Sequence, residues 1–406
     1  MIRLVYNIWK LEEFKKNWGM CFNCGACYYR GPIVPHNWKK LPPHDWASPI
    51  EKCPIFEYYK FRTYSAYGLG LLAHLVFQKD LLISDNLIKI AYTCTSCGIC
   101  NEICGLFTPL YSTWALREEI INQGFLPPEP LKHIYENIEK CGNIFGIEKP
   151  SKIMENLPKN GDDIYFAGCY SHRMPNIAIA LIKILKMAGH NISHLGSKEN
   201  CCGFIGKYSG NIDMFKKMAS KNVSVIKELG SKRVIFSCPH GYHLWKFEYP
   251  KVVGELPFKV IHVVELISDL INEGSIIFNK KIDKIVTYHD PCFLGRHSGI
   301  YREPRNILKR IPGIKLVEME RYGKWAYCCG AGAKITLNCY PEFATAIAKD
   351  RLLEAQKVSK IIVSSCPICI YHLNKTAKEE NISLNIIDLL LLVAEAMGIQ
   401  LKNESL

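Results

Sequence analysis

Five thiols in the last third of the chain have the spacing of one composite site. Cys292 is followed after 35 residues by Cys328-Cys329-Gly330, and 36 residues after Cys329 comes Cys366-Pro367-Ile368-Cys369. Adjacent cysteines are poorly placed to bond to each other without strain, so an external partner is the better reading. Five soft thiolates in a reduced chain suit iron–sulfur ligation, whereas zinc is normally content with four ligands. The competing reading is buried, inert cysteines at chance spacing. Convergence of thiols so far apart needs a scaffold, and the flanking sequence supplies one. Apolar, strand-like runs lie at 285–288 before Cys292, at 361–363 before Cys366 and at 314–317 upstream of the paired cysteines, with a helix-length segment at 343–358. Strand–helix–strand alternation implies an α/β fold with a parallel sheet, whose loops gather at the carboxyl edge of the strands.

A second cysteine system occupies the first quarter of the chain. It contains Cys21, Cys24 and Cys27, then Cys53-Pro54, and then Cys94, Cys97, Cys100 and Cys104. Three cysteines at spacing three wrap the chain around one corner of a cubane, and in two-cluster ferredoxins the fourth ligand comes from the other motif. By that rule Cys104 completes the cluster of Cys21, Cys24 and Cys27, and Cys53 completes that of Cys94, Cys97 and Cys100. A zinc ribbon has no use for the third cysteine of either run. The 25 residues between Cys27 and Cys53 include Pro32, Pro35, Pro42 and Pro43 and read as an ordered loop. The text between Cys53 and Cys94 is helical in character, so a helical ferredoxin-type domain is expected. Arg62 reads as a solvated residue, with pairing to a partner's carboxylate as the alternative.

The middle of the chain repeats the pattern of the end. Cys169, Cys201-Cys202-Gly203 and Cys238-Pro239-His240-Gly241 parallel the three later groups, with Gly241 where the second copy has Cys369. Three readings stay open for Cys169, Cys201, Cys202 and Cys238: a four-ligand cluster, no cluster, or a site with His240 as substitute ligand. Cys141 has no partners at metal spacing and reads as a buried or incidental thiol, and Cys339, without a counterpart in the first copy, reads as structural. Arg296 and His297 follow Cys292; they either neutralise cluster charge and hold an anionic thiol, or are ordinary surface residues. His289-Asp290 is either a proton relay or a strand end whose Asp fixes the turn before Pro291.

The stretches His289-Asp290-Pro291-Cys292-Phe293-Leu294-Gly295-Arg296 and Cys328-Cys329-Gly330-Ala331-Gly332 resemble the signature of the cysteine-rich CCG domain of heterodisulfide reductases. Over nearly the whole chain, the layout of a ferredoxin domain and two CCG domains is similar to the D-type branch of that family. The resemblance implies two Rossmann-like CCG domains, with a noncubane [4Fe-4S] cluster on Cys292, Cys328, Cys329, Cys366 and Cys369. It further implies that electrons pass through the two cubanes to this site, where a small-molecule or protein disulfide is reduced, often with a membrane cytochrome b subunit as donor. The rival is the iron–sulfur subunit of glycolate or anaerobic glycerol-3-phosphate dehydrogenases, which shares the layout but only relays electrons from a flavoprotein. The complete fifth thiol, Cys369, favours the catalytic reading.

The remaining sequence bounds these expectations. At 406 residues and 48% hydrophobic content, the chain can hold several cored domains. Turn signals place them at 1–160 (helical, two clusters), 161–280 (first CCG domain, incomplete at Gly241) and 281–406 (second CCG domain, complete). The formal charge of +13 falls to roughly +9 once two cubanes are counted and favours acidic redox partners. Lysines are scattered and no nucleic-acid motif is present, so nucleic acid is not expected. The start lacks a signal-peptide core, and no apolar run approaches the roughly 20 residues of a membrane span. A cytoplasmic location follows, peripheral to the inner face of a membrane only through a partner. No dinucleotide fingerprint or Walker sequence occurs, so no flavin or nicotinamide is expected in this chain.

Overall fold

The computed structural model describes residues 53–104, 108–148, 158 and 161–401. Cys21, Cys24, Cys27 and the proline-rich loop after them lie outside the described residues. From Cys53 to Cys141 the described chain is helical: Pro54–Tyr59, Ala66–Gln78, Asp85–Thr93, Ile99–Ile103, Pro109–Asn122 and Glu129–Cys141. The starts follow local chemistry. Ser65 and Ser84 accept from the amides of Gly68 and Leu87, and Pro54 and Pro109 stand where a missing amide hydrogen costs nothing. Arg117, fully buried, fixes the loop that carries the second cysteine run. Its Nε donates to the Ala91 carbonyl at 3.0 Å, Nη2 to the Cys94 carbonyl at 2.7 Å and Nη1 to the Tyr208 carbonyl at 2.9 Å.

Two parallel sheets follow. The first contains β1 (Asp163–Phe166), β2 (Ile192–His194), β3 (Arg233–Phe236) and β4 (Lys259–His262), in the order β2-β1-β3-β4. The second contains β5 (Lys284–Tyr288), β6 (Ile314–Leu316), β7 (Ile361–Ser364) and β8 (Asn385–Asp388), in the order β6-β5-β7-β8. All pairings are parallel, with Phe166 beside Phe236 and Tyr288 beside Val363 at the carboxyl ends. The repeat read from the cysteines is therefore a repeat of architecture: an α/β fold of two Rossmann-like sheets behind a helical ferredoxin-type region. In each sheet the order reverses between the two central strands, where such folds open a crevice at the carboxyl edge. Cys169 and Cys238 follow β1 and β3, and Cys292 and Cys366 follow β5 and β7, so both cysteine sets sit at these reversal points.

The helical region docks on the second sheet's loops. A cluster of buried side chains joins Cys53, Leu69, Cys97, Ile99 and Ile103 to Tyr327, Cys328, Phe343 and Ile347. It also reaches the first sheet, where Tyr92 Oη donates to the Ser209 carbonyl at 2.7 Å. Among the described residues no helix is long and apolar enough to cross a membrane.

Candidate iron–sulfur sites

The five thiols of the second repeat meet at the carboxyl edge of β5 and β7. Cys328, Cys329, Cys366 and Cys369 are buried and Cys292 is half-buried. Cys329 and Cys369 sulfurs are 3.3 Å apart, and Cys366 hydrogen-bonds to Cys369. The Gly330 amide donates to Cys328 Sγ at 3.3 Å. Hydrogen bonds from neighbouring thiols pull Cys329 down, while burial pushes Cys292 up. All described cysteines are free, so nothing in this packing is a disulfide. Buried, unbridged thiols in mutual contact are a soft donor set, and they fit a thiolate-ligated iron–sulfur cluster.

The residues before Cys292 divide their roles. Asp290 accepts two bonds from Arg305, at 2.7 and 2.9 Å, and one from the Gly323 amide at 2.8 Å, so it fixes the strand end. His289 turns toward the thiols: one ring nitrogen and the sulfurs of Cys329 and Cys369 all lie within 4.8 Å of one another. Its Nδ1 accepts from Arg351 Nε at 3.1 Å, which leaves the ring proton on Nε2. Burial and the Arg351 charge hold the imidazole down at about 3, so it is neutral. Arg351, itself fully buried, is braced by Glu354 Oε2 at 2.8 Å.

Arg296 and His297 join the two cysteine systems. Arg296 is 6% exposed, so ordinary surface placement does not hold for it. Its Nε donates to the Cys97 carbonyl at 2.7 Å and its Nη1 to the Ala326 carbonyl at 2.7 Å, which ties the ferredoxin-type loop to the segment before Cys328. His297 Nε2 lies 2.9 Å from the Ser96 carbonyl, and a Cβ on Gly98 would stand 3.0 Å from its ring. Between these clamps the buried Cys97 and Cys328 side chains belong to one packed cluster, and each perturbs the other's titration. Cys53, Cys94, Cys97 and Cys100 line one small cavity. Cys104, at the end of the Ile99–Ile103 helix, is half-buried and does not line it.

In the first repeat Cys169 hydrogen-bonds to Cys201, which in turn hydrogen-bonds to Cys202. His240 stands on the seam between the repeats, with Nδ1 3.7 Å from Cys238 Sγ and 3.9 Å from Cys366 Sγ. Its ring packs on Phe204 and Phe293, at centroid distances of 4.6 and 4.8 Å. A separate cavity is lined by Cys141, Cys169, Cys201, His172, His194 and Glu199. Burial pushes Glu199 up to about 8 although the Ala167 and Gly168 amides donate to it, and burial lowers His194 to about 4. Cys339 lies apart from both thiol sets, and burial moves it up to about 12. Arg62 rests its guanidinium 4.5 Å from the Tyr67 ring. Sequence reasoning missed Arg117, Arg351 and the place of Cys141 on that cavity.

A cysteine-rich helical region docked on two reversal-point thiol sets defines an iron–sulfur oxidoreductase subunit. The chain matches the 4Fe-4S dicluster domain over 17–106 and the cysteine-rich domain over 164–243 and 286–374. It is 30% identical over 398 residues to the D-type subunit of the dihydromethanophenazine:CoB–CoM heterodisulfide reductase of Methanosarcina mazei, with 94% of each chain covered. The chain belongs to the family of heterodisulfide reductase D-type subunits. It is also 31% identical over 305 residues to an EtfAB:quinone oxidoreductase of Syntrophomonas wolfei, a match that covers 69% of this chain and 42% of that one. Among solved structures, a hypothetical protein from Helicobacter pylori shares the fold, with a TM-score of 0.56 at 12% identity over 83% of this chain and 67% of that one.

Proposed function

We propose that this chain takes electrons from a partner redox subunit, carries them along its N-terminal cysteine sites and delivers them to a disulfide at the thiol set of the second repeat. The observation that carries the reading is the buried contact of Cys97 with Cys328, which puts one member of each ligand set within reach of the other. Clusters bound at these thiols, two cubanes and one noncubane, would supply one-electron storage and a soft metal for sulfur. The protein's own part is to hold the thiols in register, through Arg296 and His297, and to exclude water, since four of the five are buried. Reducing R–S–S–R′ to two thiols consumes two electrons and two protons. The electrons come from the partner and both protons from solvent; the neutral His289, beside Cys329 and Cys369, is a hydrogen-bond donor at Nε2 and orients a sulfur without giving up its proton. The electron donor in this reading is a cytochrome b or a flavoprotein subunit, in keeping with a relative named as one subunit of a reductase.

The second reading, a relay subunit without its own substrate, is supported by the likeness to an EtfAB:quinone oxidoreductase. Half-reduced, anaerobic protein mixed with candidate disulfides separates the two in electron paramagnetic resonance. Reduction at the thiol set predicts a new paramagnetic signal that Cys369→Ser abolishes. A dithiol cycle of Cys366 and Cys369 predicts no such signal and a trapped mixed disulfide in the same variant. If Cys369→Ser leaves electron transfer to every acceptor intact, the relay reading replaces the proposal.

A further inference from the structure

The first repeat lacks a fifth thiol in its own sequence because Gly241 stands opposite Cys369, but the fold brings another cysteine to it. The Glu129–Cys141 helix ends at Gly142, whose φ of 68° is the left-handed conformation that favours glycine. Beyond it the chain makes a strap against the first CCG loop. The Cys201 amide donates to the Gly142 carbonyl at 2.5 Å, and the Ile144 amide dipole lowers Cys169. The strap is rigid. Asn143 Oδ1 accepts from the amides of Phe145 and Ile147, both at 3.1 Å, and its Nδ2 donates to the carbonyls of Cys141 and Ile147, at 3.0 and 2.6 Å. Cys141, Cys169 and Cys201 thereby line one cleft open to solvent, with Cys202 and Cys238 outside its lining.

The surroundings suit a bound anionic group. Lys334 reaches across from the second repeat; its Nζ lies 3.9 Å from the Phe145 ring, and its charge acts on Cys169. Arg173 covers the same ring at 5.0 Å. His194, 7% exposed, accepts from the Gly196 amide at Nδ1 and so carries its proton on Nε2, a buried nitrogen without a hydrogen-bond partner that lines the cavity 3.5 Å from Glu199 Oε2. A thiol set around a void, rather than in collapse on one ion, is what a multi-iron cluster needs, since its thiolates bind different irons.

We propose that Cys141 supplies the thiolate that Gly241 does not, so that Cys141, Cys169, Cys201, Cys202 and Cys238 form one iron–sulfur ligand set completed from the helical region. The inference rests on a cluster being held in the first repeat and is independent of the second repeat's chemistry. It is tested on the full chain loaded anaerobically with iron and sulfide. Cys141→Ala should lose about four irons per chain, as Cys169→Ser does, while Cys141→Ser should shift the Mössbauer spectrum of those irons. Full iron and an unchanged spectrum in both Cys141 variants, with loss in Cys169→Ser, overturn the inference and leave a cluster on the other four cysteines. No iron loss in any of the three shows that the first repeat holds no cluster; this also overturns it, and leaves the proposed function to the Cys369→Ser test. Should the variants fold poorly, maleimide labelling of the loaded wild-type protein decides. Half-exposed Cys141 should be protected until iron is chelated, and its labelling without iron loss overturns the inference.

Discussion

Arg296 shows how much a single side chain can hold at a site of this kind. Its donors answer the carbonyls of Cys97 and Ala326 in a buried setting, where each charge-assisted bond is worth more than a neutral one. Arg296→Gln should cost about 3 kcal/mol, seen as a lower melting temperature, because it leaves buried carbonyls unanswered. It should also weaken the magnetic coupling between the cluster of Cys94, Cys97 and Cys100 and that of the second repeat. Unchanged coupling would mean that the clamp does not set their separation. At this scale the sequence was legible for the thiols and for Arg296 and His297 beside Cys292, but not for what those two hold or for Arg117. Cysteine spacing is a ligand pattern, whereas Arg296, His297 and Arg117 recognise backbone carbonyls, which carry no side-chain signature. Arg296 reaches its partner across 199 residues and Arg117 reaches Tyr208 across 91.

The elements explain why each paired cysteine is followed by glycine. Gly330 has φ of 86°, and a Cβ there would stand 2.4 Å from the Ala344 carbonyl of the Pro341–Gln356 helix. Gly203 has φ of 79°, but a Cβ there would come no closer than 3.2 Å to the Met218 side chain and 3.4 Å to the Phe215 ring. Both alanine variants suffer the left-handed penalty of about 1–2 kcal/mol, and Gly330→Ala adds a backbone clash. Gly330→Ala should therefore melt well below Gly203→Ala; equal melting temperatures would show that the helix yields. The repeat also places different caps at equivalent ends: His262 after β4 and Asp388 after β8 each accept from the second amide of the next helix. Burial lowers His262 to about 3, so below its unfolded value of about 6.5 the unfolded chain binds the extra proton and stability falls with falling pH. Burial raises Asp388 to about 7, so from about 3.9 upward the folded chain holds the extra proton and stability falls with rising pH. His262→Asn, which keeps a capping acceptor, should flatten the acid side by up to about 1.4 kcal/mol per pH unit, and Asp388→Asn should flatten the opposite slope between pH 4 and 7. Stability against urea at several pH values checks both. The central strands of each sheet were readable as apolar runs before cysteines, but β2, β4 and β8, equally short, precede no cysteine that would mark them.

Across the whole molecule, the cysteine systems are not separate modules. Cys97 touches Cys328, His240 lies between Cys238 and Cys366, and the strap after Cys141 lies on Cys169 and Cys201. The ligand exchange proposed for the N-terminal cysteine runs would follow the same logic of sharing. Cys104→Ser should damage the cluster of Cys21, Cys24 and Cys27 and spare that of Cys53, Cys94, Cys97 and Cys100, as read by Mössbauer spectroscopy; the reverse pattern would show that each run completes its own cluster. The duplication was legible because both halves kept their thiol spacing. The interlock was not, since it depends on where three regions meet in space.

The Arg296 clamp also has a consequence in time. During synthesis the loop of Cys94, Cys97 and Cys100 leaves the ribosome long before the residue that closes over it, 199 positions after Cys97. At translation rates of about 5–20 residues per second the interval is roughly 10–40 s. For that long the nascent loop is open to cluster donors, and arrival of the second sheet ends the opportunity.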